Sequence, residues 1–235
     1  MNSKSNLKKK DKRRLRSSFL YYFVKLTGVI PALLWFRPRI HRIGSEKKPK
    51  GGFLVLGNHS SFVDPVIMVL SFPFRNLRLL ATSDLYDTKL KRWFFTRMGC
   101  IEVNKANFSV NSLHDVLFFL RHGKAVGIFP EGHAHLGSDA ITPFKSGMIL
   151  MAYKARVPIV PMHIVPPRKK HGRWHAVIGD PVDIYPLCGG VPSAAALESA
   201  AEYMHERELA LKRWYEERYP QAASTPVEEK EAIPK

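Results

Sequence analysis

Two cysteines, Cys100 and Cys188, are all that the 235 residues contain. At most one disulfide is available, so the chain is not a disulfide-held scaffold, and such sparse cysteine fits a reducing compartment. Acidic residues are also scarce, 20 against 37 Lys and Arg. No apolar run reaches the roughly 20 uninterrupted residues of a simple membrane span. The nearest approach, residues 17–36, is broken by Lys25. It also lacks the small-residue cleavage site of a secretory signal, because Trp35 and Phe36 lead directly into a basic cluster. The 17 Pro and 15 Gly form no repeat, which excludes collagen-like and low-complexity chains. With 45% hydrophobic residues, the chain can build one ordinary domain with a real core, plus appendages.

The charge is unevenly placed. Residues 1–50 carry 15 Lys or Arg and 2 acids, whereas residues 186–235 carry 6 and 9. So basic an N-terminus calls for a polyanionic partner, a membrane surface or a nucleic acid. Residues 1–16 read as a basic tail in which only Asp11 is acidic. Residues 17–43 come next, with Phe19, Tyr21, Tyr22 and Phe23 at one end of the apolar stretch and Trp35 and Phe36 at the other. Rings at both ends belong to a lipid interface. Arg37, Arg39, His41 and Arg42 then add a second basic cluster. Cations next to such an apolar segment favour anionic lipid over a phosphodiester backbone. The pattern predicts a helical segment, a hairpin or a helix kinked at Pro31, in the interface on the cytoplasmic face of a membrane. No nucleic-acid partner is expected. A buried helix with a solvated basic tail is the alternative.

From residue 51 the pattern changes. Short apolar runs at 53–58, 77–82, 100–104, 125–130, 158–165 and 175–180 predict strands. Between them lie helix-like stretches at 65–71, 88–97, 109–122 and 146–156, and a long amphipathic helix at 194–219. Strands alternating with helices in this way predict an α/β domain over 51–219, a mostly parallel sheet flanked by helices. Residues 220–235 read as a disordered tail.

Two loops come after predicted strands, at the carboxyl edge where ligands gather in open α/β sheets. The first runs Gly57-Asn58-His59-Ser60-Ser61-Phe62-Val63-Asp64-Pro65. On one continuous helix, residues five apart point away from each other, but across a strand-to-helix turn His59 and Asp64 can meet. A carboxylate on one imidazole nitrogen leaves the other as a base. The same Asp64 also reads as an N-cap before Pro65. Ser60 and Ser61 lack the Gly-x-Ser-x-Gly setting of a nucleophile elbow. The second loop, Phe129-Pro130-Glu131-Gly132-His133-Ala134-His135, presents a carboxylate beside a glycine, or else a solvated loop acid. His133 and His135 with His59 and Asp64 match no zinc-ligand spacing, so no metal is expected.

Asn-His-x-x-x-x-Asp-Pro after one strand and Phe-Pro-Glu-Gly after a later one resemble the glycerolipid acyltransferase family, the 1-acyl-sn-glycerol-3-phosphate acyltransferase type. Gly99-Cys100-Ile101-Glu102-Val103-Asn104-Lys105 is similar to that family's second block, and Val157-Pro158-Ile159-Val160-Pro161 to its fourth. Phe144-Lys145-Ser146-Gly147 resembles the segment between the third and fourth blocks.

The resemblance implies that His59, oriented by Asp64, deprotonates the free hydroxyl of a lysophospholipid. That oxygen would attack the thioester of acyl-CoA or acyl carrier protein directly, giving phosphatidic acid where the acceptor is lysophosphatidate. The thioester is a co-substrate; no cofactor is implied. Oxyanion donors would come from the loop around Asn58 and Ser60 or from the helix start at Pro65. Glu131 and Gly132 would position the glycerol, and Lys105 would meet the phosphate. Two departures stand out: Ala134 replaces an expected Arg, and Lys105 stands where Arg is usual. Either His133, His135 and Lys145 supply the missing charge, or the acceptor is a different lysolipid. A hydrolase using His59 and Asp64 to activate water, and a basic binding module without catalysis, are the competing classes.

Overall fold

The apolar runs assemble into a seven-stranded sheet, one strand more than the sequence pattern predicts. The computed structural model describes residues 19–44, 49–104, 110–132, 141–167 and 172–220. Along the chain come α1 (Phe19–Phe36), β1 (Arg39–Arg42), β2 (Phe53–Gly57), α2 (Asp64–Ser71) and β3 (Leu77–Thr82). A short 3-10 turn, Ser83–Tyr86, leads to α3 (Lys89–Met98), β4 (Ile101–Val103), α4 (Val110–Arg121) and β5 (Ala125–Ile128). The chain continues through α5 (Gly147–Ala155), β6 (Ile159–Val165), β7 (His175–Ile178), α6 (Tyr185–Cys188) and α7 (Ala194–Arg218).

The sheet order is β1-β7-β6-β2-β5-β3-β4. The five strands from β6 to β4 are parallel, β7 runs antiparallel to β6, and β1 runs parallel to β7. β2 is central and wholly buried, so both faces must meet apolar layers. Leu54 and Leu56 face the cluster built with α4, α5 and α7; Phe53 and Val55 face the one built with α2 and α1. This period of two places helices on both faces of the sheet.

β1 corrects the expectation for residues 17–43. Among its described residues only Phe19–Phe36 is helical, as one helix with Pro31 inside it rather than a hairpin. Arg37 takes a left-handed φ of 46° and Pro38 comes directly after it, which ends the helix. Arg39–Arg42 then hydrogen-bonds to β7 as an edge strand, so the α/β sheet begins before residue 51. Its basic sequence hides the strand, because an edge position needs backbone pairing and not an apolar face.

α1 is tied to the body. Tyr21 is buried, Lys25 Nζ donates to the Arg75 carbonyl at 3.1 Å, and Val29, Ala32 and Phe36 pack against the apolar layer beside α2. Lys25, which interrupts the apolar run, is thus a tether to the domain. The other face leaves Phe19, Leu26, Leu34 and Trp35 more than 70% exposed, far beyond scattered surface apolar residues. No helix among the described residues is long and apolar enough to cross a membrane.

The β1–β7 seam carries a histidine pair. His41 Nε2 and His175 Nδ1 lie 3.0 Å apart, their rings stack, and Trp214, Tyr215 and Tyr219 surround them. Burial, His41 and the cations Arg39 and Arg173 push His175 down to about 4; burial, Arg39 and Arg218 lower His41. Between pH 6.5 and 4 the unfolded chain therefore binds protons that the folded chain refuses, and stability falls with acid. The melting temperature is expected to drop from about pH 7 to about pH 4.5, with a shallower drop in His175→Asn. Equal slopes in the two proteins would contradict this role of the seam.

Candidate active site

β2 and β5 are in register, Leu56 opposite Ile128, so the loops beyond them leave the sheet side by side. His59 is three residues past Leu56 and Glu131 three past Ile128. β6 flanks β2 on the other side, Gly57 opposite Met162. Asn58 prolongs that pairing with its side chain: Nδ2 donates to the Ile164 carbonyl at 2.9 Å, and Oδ1 accepts the Ile164 N–H at 2.7 Å. The amide thus replaces one rung of the ladder and frees the backbone to turn.

Within that turn Asp64 is fully buried, and three donors converge on its Oδ2. The Ser60 and Ser61 N–H groups each donate at 2.7 Å, and His59 Nδ1 lies at 3.1 Å. Three donors on one oxygen suit an ionised, acceptor-only carboxylate. Burial raises the Asp64 carboxyl above its ordinary value, while the bonds from His59, Ser61 and Ser60 oppose that rise. The N-cap reading fails: Val63 holds the cap position, and the Asp64 carboxylate points back into the loop. With Nδ1–H committed to Asp64, the neutral imidazole carries its lone pair on Nε2, which has no hydrogen-bond partner among the described residues. The ring stacks on Phe129, centroids 4.2 Å apart, which fixes its plane.

Glu131 is no solvated loop acid. It is buried, its Oε1 accepts the His59 N–H at 3.2 Å, and Thr142 Oγ1 lies 3.5 Å from Oε2. Gly132 takes φ 77°, a conformation that favours glycine, and a Cβ there would stand 3.0 Å from Lys145 Nζ. The exposed Lys145 ammonium therefore sits beside the Glu131-Gly132 turn. His59, Asp64, Glu131, Gly132 and Lys145 come together as the sequence predicts.

The expected oxyanion donors at Asn58 and Ser60 need correction. The N–H groups of His59, Ser60 and Ser61 are taken by Glu131 and Asp64, and the Asn58 N–H is directed at Glu208. The donors left in this loop include the Phe62 N–H, the Ser61 hydroxyl, which accepts the Val63 N–H, and the Ser60 hydroxyl, whose buried oxygen has no partner among the described residues. Lys105, His133 and His135 lie outside the described residues, as do residues 1–18, which include the whole basic tail, and residues 221–235. No group of three His, Cys, Asp or Glu gathers as a metal site among the described residues. Sequence reasoning missed Thr142, Phe129, His163 and Glu208. The last had a signal: it occupies the buried stripe of α7 with Ala201, Met204, Leu211 and Tyr215.

A buried carboxylate holding an imidazole, at the carboxyl edge of a mostly parallel sheet and against a Pro-Glu-Gly turn, is an arrangement that can serve as a general base in acyl transfer. The Acyltransferase family model matches residues 39–165, more than half of the chain, and the chain belongs to that family. It is 34% identical over 153 residues to a probable 1-acyl-sn-glycerol-3-phosphate acyltransferase of Mycoplasma pneumoniae, covering 61% of this chain and 56% of that protein. The 1-acyl-sn-glycerol-3-phosphate acyltransferase of Bacillus subtilis is 25% identical over 186 residues, covering 77% of this chain and 92% of the relative. The match thus spans little more than half the length of the first relative, though nearly all of the second. The crystal structure of the 1-acyl-sn-glycerophosphate acyltransferase of Thermotoga maritima superimposes with a TM-score of 0.59 at 20% identity, over 89% of this chain and 84% of that one. This last likeness shows the fold.

Removing the Asn58 amide leaves the buried Ile164 N–H and carbonyl without partners. Asn58→Leu, close in shape, is expected to cost about 2–3 kcal/mol in urea unfolding. A cost near zero would mean that the side-chain rung is not needed.

Proposed function

We propose that the chain transfers a fatty acyl group from a thioester, acyl-CoA or acyl carrier protein, to the free hydroxyl of 1-acyl-sn-glycerol-3-phosphate, forming phosphatidic acid. The observation that carries this reading is the His59 imidazole bound through Nδ1 to a buried, triply hydrogen-bonded Asp64 carboxylate, with Nε2 unengaged among the described residues. Nε2 takes the hydroxyl proton as the alkoxide oxygen forms its bond to the thioester carbon. Asp64 stabilises the imidazolium that results. The tetrahedral oxyanion is met by the Phe62 N–H and the Ser60 hydroxyl. The C–S bond then breaks, and the imidazolium returns the proton to the thiolate. No acyl-enzyme, metal or cofactor takes part in these steps.

Lys145 beside Gly132, together with Lys105 and His133, meets the acceptor's phosphate. A lone ammonium neutralises that charge without the forked geometry of Arg. The acceptor assignment rests on the names of the relatives. Ala134 and Lys105, where Arg residues would be expected, favour a second reading with the same chemistry on a different lysolipid. The apolar face of α1 lies in the interface of an anionic membrane on its cytoplasmic side, which brings both lipid substrates to the site. A nucleic-acid partner has no place in this scheme.

Thioester consumption with lysophosphatidate and a panel of other lysolipids, side by side, tests the reading. His59→Ala is expected to lower the rate about a thousandfold while vesicle binding persists; parental rates would remove His59 as the base. Lys145→Ala is expected to raise KM for lysophosphatidate and leave KM for an acceptor without a phosphate monoester unchanged. Equal effects on both acceptors would contradict the phosphate contact. For the membrane face, Leu26→Asp combined with Ile30→Asp is expected to abolish flotation with anionic vesicles and leave the fold intact. Deleting residues 1–42 would not be a clean test, because it removes β1 from the sheet.

A further inference from the structure

A second carboxyl, which the proposed chemistry does not use, lies beneath the loop that carries His59. Glu208, on α7, is fully buried on a stripe that is otherwise apolar. A carboxyl in such a place is costly compared with the leucine or methionine the stripe would accommodate, so what it touches is informative. Its Oε1 lies 3.3 Å from Nδ1 of His163 on β6, and the Asn58 backbone N–H is directed at the carboxyl, where it opposes the rise that burial imposes on it. The residue after His163 is Ile164, whose backbone pairs with the Asn58 side chain through two hydrogen bonds. The next backbone amide, that of His59, is held by Glu131.

We propose that Glu208 is a positioning residue for the His59 base: with Glu131 it clamps two consecutive backbone amides, Asn58 and His59, and so fixes the imidazole against Asp64. The C-terminal helix is then part of the reactive unit and not merely a cover for the sheet. Glu208 works here as a neutral acceptor. Burial and the nearby Glu131 charge raise its carboxyl well above the usual range, while burial and Lys212 keep His163 uncharged, pushed down to about 3. A neutral clamp has a practical advantage, because a second full negative charge beside Glu131 would repel it.

The inference rests on the acyl-transfer reading, and its test separates the two. Glu208→Gln keeps an uncharged acceptor of the same length, whereas Glu208→Leu keeps only the volume. In the thioester assay Glu208→Gln is expected to stay within about threefold of the parental kcat, and Glu208→Leu to lose about thirtyfold with both KM values nearly unchanged. A packing role alone would favour Leu over Gln. Three outcomes would overturn the proposal: an active Leu variant, a loss confined to KM, or a Gln variant as impaired as the Leu variant. Should the Leu variant fail to fold, hydrogen exchange in the parental chain still decides. The Asn58 amide is expected to exchange as slowly as the amides of β2, and exchange at loop rates would refute the clamp. An inactive parental chain would refute the acyl-transfer reading, while the exchange measurement would still test the clamp.

Discussion

The site depends on one buried oxygen. Oδ2 of Asp64 gathers two backbone amides and an imidazole, and each donor fixes something different. The Ser60 and Ser61 amides curl the loop back on the first turn of α2, and the imidazole is thereby set in one tautomer. Burying such a carboxylate would be prohibitive without these bonds, and with them it makes a rigid acceptor in a low-dielectric setting. The loop shape and the placement of the His59 proton on Nδ1 both derive from this one arrangement.

The sheet makes the arrangement possible by bringing three neighbouring strands to one edge. β2 delivers Asn58 and His59, β5 delivers Glu131 and Gly132, and β6 receives the Asn58 side chain as though it were another strand residue. Parallel neighbours end at the same edge, so loops distant in sequence converge without a special device. α1 joins this body by a simple division of labour. Tyr21, Lys25, Val29 and Phe36 hold the domain, and Leu26, Leu34 and Trp35 face outward.

The same physics decides how much of this was legible in the sequence. β2, β5 and β6 announce themselves because both faces are buried and nearly every residue is apolar. The His59–Asp64 spacing signals a meeting only if the loop turns back, and the Pro65 helix start makes that turn possible. β1 was illegible, since an edge strand of Arg and His carries no apolar alternation and its reason to exist, backbone pairing with β7, is a long-range one. The commitment of the loop amides was equally hidden: one cannot read from Ser60 and Ser61 that their N–H groups serve Asp64 and not a substrate. Glu208 was visible as a polar residue on an apolar stripe, but only the three-dimensional fold reveals that it lies under Asn58 and beside His163.

The central claim is that Asp64 holds His59 with the proton on Nδ1 and the lone pair on Nε2. Nitrogen NMR of the histidine-labelled protein, recorded above the pH at which the ring is charged, reads the tautomer directly. The account predicts a His59 signal of the Nδ1–H form, lost or mixed in Asp64→Asn. A parental His59 in the Nε2–H form, or in the mixture of a free imidazole, would contradict it.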